Sequence, residues 1–160
     1  MPNWCDNSVT ITADKEKIDV IENALKTKEQ DFFAAIRPRP LSEEDNWYSW
    51  NVENWGTKWS PSIVDYERED DTTIWITFES AWAPPIALYE FMHDEGYTVS
   101  ALYSECGMCF IGKFEHGQDD CYEYDLTDLE SIESIPEDLV DYGNLIEMHE
   151  SFIEENRDEV

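Results

Sequence analysis

The stretch "TIWITFE", Thr73–Glu79, decides how the fold is read. Ile74, Ile76 and Phe78 fall on one side of an extended chain, and Thr73, Trp75 and Thr77 on the other. Successive side chains of a strand point to opposite faces, so this pattern predicts a strand with one buried face. Just upstream, Ile63–Glu67 reads as a partner strand, and "REDD" between the two reads as the turn of a hairpin. Downstream, Pro84 and Pro85 open a helix through "IALYEFMHDEG". Proline in a first helical turn forfeits no hydrogen bond, and Gly96 is a natural stop.

Working outward, "NSVTITA" (Asn7–Ala13) alternates Val9 and Ile11 with Ser8, Thr10 and Thr12, which predicts another half-buried strand. Asp14 is placed to cap a helix over "KEKIDVIENALKTK", whose apolar face is Ile18, Ile21 and Leu25. Lys26 and Lys28 suit the negative end of its dipole. Tyr97–Tyr103 reads as a strand, and Cys109–Glu115 with Cys121–Asp125 as a last hairpin around "HGQD". The order β-α-β-β-α-β predicts an α+β, ferredoxin-like split βαβ sheet with an extra β-hairpin. Leu126–Asp141 is acidic with spaced Leu and Ile, and Asn144 caps a final helix on which Leu145, Met148, Phe152 and Ile153 share a face. This reading gives a ferredoxin-like domain over 1–125 and an acidic helical extension over 126–160.

The 160 residues are 41% apolar and 14% aromatic, enough for the core of one domain. No apolar run approaches the ~18 residues of a membrane span. The N-terminus has no basic segment followed by an apolar one, so the expected location is the host cytoplasm. The charge is extreme: 38 Asp plus Glu against 10 Lys plus Arg, a net of −28. Such a field repels phosphates and anionic membranes, which argues against direct nucleic-acid or membrane binding. The acid is also uneven. Residues 117–160 hold 16 acids and one base, a net of −15, so over half the charge lies in the last 44 residues.

Between the first helix and the hairpin, residues 31–61 form a long insertion with Pro38, Pro40 and Pro61. Within it, "NVENWGTKWSP" (Asn51–Pro61) follows closely on Trp47 and Trp50. Long loops in compact domains are either functional or anchored by their own side chains. Two readings stand for Trp55, Lys58 and Trp59. Lys58 between indoles offers an anion or partner site, or a stacking platform. Alternatively, Trp55 and Trp59 pin the loop as buried anchors, Gly56 supplies an unusual backbone angle, and Lys58 lays its stem across an indole.

Four stretches carry a family resemblance: "MPNWCDN" at 1–7, "WGTKW" at 55–59, "FESAWAPP" at 78–85 and "ECGMCFIG" at 105–112. They resemble the YubB-like ferredoxin-fold proteins of phages and conjugative plasmids. The resemblance covers roughly the first three-quarters of the chain and stops near residue 117. It implies a ferredoxin-like fold and a mobile-element origin, and implies no enzymatic activity.

Cys106 and Cys109 form a C-x2-C, and His116 and Cys121 complete the ligand types of a structural zinc site. The usual second knuckle is absent, and Gly107, Phe110 and Gly112 of the family-like pattern account for the segment. The expectation is reduced thiols with no metal and no cofactor. Catalytic signatures are also missing. There is no phosphate-binding glycine loop, no H-E-x-x-H and no G-x-S-x-G. His93, His116 and His149 read as surface or boundary residues.

The acidic residues carry the functional expectation. One face is predicted from Asp119, Asp120, Glu123, Asp125, Asp128 and Glu130, and a second from the helix bearing Glu147, Glu150, Glu154 and Glu155. Regularly spaced carboxylates can imitate the phosphate row of DNA. The plainer reading is a solubilising tail. The expected function is a non-catalytic phage- or plasmid-type protein that binds and inhibits a basic, nucleic-acid-handling host protein, as an anti-defence DNA mimic. The alternative is a small accessory binding module that uses the Trp-rich loop for a partner or ligand.

Overall fold

The computed structural model describes residues 3–157, so Met1, Pro2 and residues 158–160 of the extension lie outside it. Six strands form one antiparallel sheet: β1 (Trp4–Thr12), β2 (Ser62–Asp70), β3 (Thr73–Ala81), β4 (Thr98–Glu105), β5 (Phe110–Glu115) and β6 (Gln118–Glu123). Their order across the sheet is β2-β3-β1-β4-β5-β6. The helices are α1 (Lys15–Lys26), α2 (Phe32–Ile36), α3 (Trp47–Asn54), α4 (Ile86–Asp94), α5 (Leu129–Glu133), α6 (Glu137–Gly143) and α7 (Leu145–Glu155). The architecture is α+β. β1 and β2, joined through α1 to α3, both run antiparallel to β3, which lies between them. β3 and β4, joined through α4, enclose β1 in the same way.

Alternation makes two faces, and each carries helices. On one face, Val9 and Ile11 of β1 lie opposite Ile76 and Ile74 of β3 and Ala101 and Val99 of β4. These residues form one apolar cluster with Ile18, Ile21 and Leu25 of α1, Phe32 and Phe33 of α2, and Leu88, Tyr89 and Met92 of α4. Burial of this kind is the main stabilising term of the fold. The opposite face is covered at the β4–β6 side. There Ile111 packs with Ile132 of α5, Ile135, Leu139 of α6 and Leu145 of α7, joined by Leu102 and Tyr122. The helices after residue 126 are therefore docked on the sheet.

Several expectations need correction. The insertion over 31–61 is mostly helical, with α2, a 3-10 turn (Leu41–Asn46) and α3. Short helices satisfy backbone groups that a bare loop of that length would leave to water. Asp14 occupies the N-cap of α1 without a side-chain cap bond, whereas Asp31 caps α2 by accepting from Ala34 N at 3.1 Å. β6 starts earlier than the expected Cys121–Asp125, because the turn is only His116–Gly117, with φ of 57° and 78°. Two positive φ values make a tight hairpin turn, and pairing then begins at once. Tyr124 continues the register one residue past β6, donating its N–H to Cys109 O at 3.0 Å. Asn144 precedes α7 in the left-handed region (φ 52°) and makes no side-chain cap. Ile153, expected on the apolar face of that helix, is 47% exposed. No helix among the described residues is long and apolar enough to cross a membrane.

Candidate functional site

Four segments far apart in the chain meet at one end of the sheet. Trp4 opens β1, the Trp55–Trp59 loop precedes β2, Trp82–Pro85 follows β3, and Glu105–Phe110 joins β4 to β5. Backbone bonds stitch them together: Trp82 N donates to Asn3 O at 2.8 Å, and Leu88 N donates to Trp55 O at 3.2 Å. Thr57 is buried and its hydroxyl donates to Ala81 O at 2.7 Å.

The loop itself is half anchor and half surface. Trp55 is 2% exposed, packs against Phe33 and Trp50, and donates its indole N–H to Arg37 O at 3.0 Å. Gly56 has φ +93°, and a Cβ there would lie 3.0 Å from the backbone nitrogens of Ile86 and Ala87. Both the angle and the close approach to α4 require glycine. Asn51, buried in α3, donates to Lys58 O at 2.8 Å and accepts from Arg39 at 2.9 Å. Trp59, in contrast, is half-buried, its ring 6.2 Å from that of Trp4.

Lys58 stands over this surface. Its ammonium lies 4.6 Å from the Trp59 ring, 4.9 Å from Trp82 and 5.8 Å from Tyr48. Among the described residues it has no ion-pair partner. Indole and phenol rings attract a cation through their electron-rich faces. The surrounding aromatics are exposed: Trp4 38%, Trp47 40%, Tyr48 46% and Trp82 44%. Trp82 holds φ +65°, unusual for a bulky residue, where the chain turns from β3 into the two prolines.

Beside the aromatic end, a groove of about 440 Å³ is lined by Asn3, Trp82, Met108, Phe110 and Glu123. A second depression of about 310 Å³ shares Phe110 and Glu123 and reaches Tyr103, Asp119, Cys121 and Pro84. Tyr103 donates to Asp119 Oδ1 at 2.5 Å. Its ring lies across Gly112, where a Cβ would come within 2.5 Å of Tyr103 Cζ. Burial, and then the neighbouring Asp120 charge, raise the Asp119 carboxyl above its ordinary range despite the Tyr103 bond. Burial, and then the bond to Asp119, push the Tyr103 hydroxyl up as well. The Glu105 carboxylate is buried and accepts from Gly107 N at 2.9 Å and Met108 N at 2.6 Å, which fixes the turn that presents Met108.

The predicted acidic faces are rearranged. Asp119 and Asp120 do not share a face: Asp119 pairs opposite Phe114 and Asp120 opposite Lys113, on alternate sides of β6. Glu123 lies on the Asp119 side. Asp125 accepts from Thr127 N at 2.8 Å and Asp128 caps α5 by accepting from Glu130 N at 3.0 Å, so both shape local turns. Bonding to Thr127 lowers the Asp125 pKa. On α7, Glu147, Glu150 and Glu154 lie within ~60° of one another around the axis, at 3.6 residues per turn. All three are exposed, as are Glu130 and Glu155. Glu155 lies on the flank, where it and Glu147 border a shallow groove floored by Met148 and Phe152.

The cysteines and His116 do not converge. Cys106 and Cys109 lie at the β4–β5 turn, His116 at the β5–β6 turn at the far end of the hairpin, and Cys121 on β6 opposite Gly112. Among the described residues no group of three or more His, Cys, Asp or Glu side chains is arranged to hold a metal ion. The free thiols of Cys106 and Cys121 are exposed and Cys5 is buried.

Sequence reasoning found the Trp-rich loop but missed its neighbours. Thr57, Trp82, Met108 and Phe110 carry only a resemblance signal, and Asn51 carries none of its own.

No family model matches the chain, and no curated protein matches it. Among solved structures it is similar to the crystal structure of the protein api92 from Yersinia pseudotuberculosis, of the family model DUF1281. The two share 11% identity at a TM-score of 0.52, over 78% of this chain and 99% of that one. At that identity the likeness is one of fold alone.

Proposed function

We propose that this chain is a non-catalytic binding protein that docks on a basic, nucleic-acid-handling host protein in the cytoplasm and blocks it. A phage or conjugative-plasmid origin and a ferredoxin-like core belong to the same reading. The strand order β2-β3-β1-β4 and the meeting of the four family-like stretches at one sheet end support it. The observation that carries it is the ordered row Glu147, Glu150 and Glu154 on α7. This helix is held to the sheet through Leu145 and Met148, so its carboxylates keep their spacing. Successive charges are separated by about 4.5–6 Å along the axis, from a rise of ~1.5 Å per residue. Among the described residues none of the three is ion-paired. Crowding like charges raises the free energy of the unbound protein, and a cationic groove relieves it.

The test is inhibition of a host DNA-binding enzyme in the presence of competing duplex DNA at low and high salt. Inhibition that fades with salt and is relieved by duplex supports the reading. Full inhibition by the Glu147→Gln, Glu150→Gln, Glu154→Gln variant at physiological salt overturns it.

The exposed aromatics around Lys58 favour a second reading, an accessory module that binds its partner through the Trp-lined end.

A further inference from the structure

The groove between Trp82 and Glu123 combines three properties that seldom coincide on a solvated surface. Its walls are apolar side chains held in water: Trp82 is 44% exposed and Met108 67%. The same groove is lined by a carboxylate, Glu123, which has no ion-pair partner among the described residues. Its position is fixed from beneath, because the buried Glu105 carboxylate bonds the two amides of the turn that carries Met108.

The molecule itself shows what such a surface accepts. Lys58 already rests its ammonium on the Trp59 and Trp82 rings without a carboxylate partner. An indole has two faces, and Lys58 occupies one face of Trp82. Lys58 does not line the groove, which opens beside Trp82 towards Met108 and Phe110. A long side chain with an apolar stem and a cationic head matches this arrangement from end to end.

We infer that the Trp82–Met108–Phe110 groove is a docking site for an arginine side chain of a basic protein partner. The stem lies on Met108 and Phe110, the guanidinium stacks on Trp82, and Glu123 receives its N–H groups. The inference deepens the basic-partner reading and rests on it. It places a specificity-giving contact on the sheet end opposite the β5–β6 turn, while α7 supplies long-range attraction. Arginine is favoured over lysine because its planar head stacks on an indole while still donating to a carboxylate. Trp, Tyr and Arg are the residues most enriched among the energetic anchors of protein interfaces.

The experiment titrates the full chain with a short arginine-rich peptide and with the same peptide carrying citrulline at every arginine. The indole N–H signals of the seven Trp are followed by NMR. The expected result is a shift of the Trp82 signal by the arginine peptide, with the citrulline peptide binding about tenfold more weakly. Glu123→Gln and Met108→Gln change exposed side chains and leave the fold intact. Each should weaken the arginine peptide by about three- to tenfold.

Equal binding of the citrulline peptide overturns the inference, as does a Trp82 shift produced more strongly by single-stranded DNA. So does a Trp82 shift that grows with protein concentration alone, which would make a second copy the occupant. The α7 triple Gln variant separates the two levels. If it abolishes binding while Glu123→Gln and Met108→Gln do not, the basic-partner reading stands and the groove assignment falls. If neither set of variants changes binding, both fall.

Discussion

The aromatic end of the sheet and the outer face of α7 are built in opposite ways. The aromatic end draws Trp4, Tyr48, Lys58, Trp59, Trp82 and Met108 from five segments spread over more than 100 residues. The α7 face draws Glu147, Glu150 and Glu154 from two turns of one helix. One depends on the whole sheet being formed, and the other on one docked helix. The first surface is therefore held in place by sheet register, while the second is a charged face set by helical spacing alone. In the proposed function, the charged face attracts a basic partner and the aromatic end recognises it.

That division can be broken at its anchors. The largest effect is expected for Trp55→Ala, which removes a buried indole from the main cluster. It should cost ~3–5 kcal/mol, as aromatic truncations in cores do, read from the denaturant midpoint. The aromatic end should lose order with it, while α7 keeps its helicity until global unfolding.

Gly56→Ala comes next. The positive φ and the 3.0 Å approach to the α4 backbone make any Cβ unfavourable. A loss of about 1–3 kcal/mol is expected, together with a perturbed indole environment at Trp59. A neutral outcome would mean that the loop can lift off α4 and that the aromatic end is less rigid than described.

Neutralising Glu147, Glu150 and Glu154 to Gln should leave the melting temperature nearly unchanged. It should slow association with a basic partner by about tenfold at low salt, an effect that vanishes at high salt. Stopped-flow rates at several ionic strengths read this directly. An equal slowing at high salt would mean that the stripe makes short-range contacts as well.

A smaller effect is expected from pH. Asp119 is raised in the folded protein above its unfolded value, so its ionisation opposes folding. Its contribution is fully present below the unfolded value near ~3.9 and is lost as pH rises through the folded value. Asp125 has the reverse sign, since its lowered pKa adds stability that disappears on acidification. Comparing wild type with Asp119→Asn cancels Asp125 and isolates Asp119. Wild type should gain on the variant as pH falls through that window. A constant difference between the two denaturant midpoints would show that Asp119 carries no linkage. The groups on its face are the Tyr103 hydroxyl, the Cys121 thiol and the Glu123 carboxylate, and the adjacent Asp120 charge acts on it from the other side of β6. The smallest effect is expected from chelators. Because Cys106, Cys109, His116 and Cys121 do not share one locus, EDTA should leave the thermal midpoint where it is.

Much of the fold was legible because period is a local property. The alternation of "TIWITFE" and of "NSVTITA" predicted strands whose inward residues are the buried ones, and the i, i+3, i+7 spacing of Ile18, Ile21 and Leu25 did the same for α1. The insertion over 31–61 shows no helical period because α2 has five residues and α3 eight, too short for periodicity to register. Adjacency in the chain suggests one face for Asp119 and Asp120. A strand sends adjacent side chains to opposite faces, and the expected hairpin register began too late to show it.

The candidate site divides along the same line. Composition and spacing alone determined that the chain is strongly acidic, that the acid concentrates after residue 117, and that one stretch is crowded with tryptophan. Those are sums and local patterns, and folding does not alter them. Only the tertiary structure decided that Trp55 is a core residue while Trp59 is partly surface, for the two differ in what packs over them. Only it placed Lys58 over Trp82, and Trp82 beside Met108 and Glu123. Such neighbours are chosen by sheet register and by the space that Gly56 and Gly112 leave open, which no local pattern encodes.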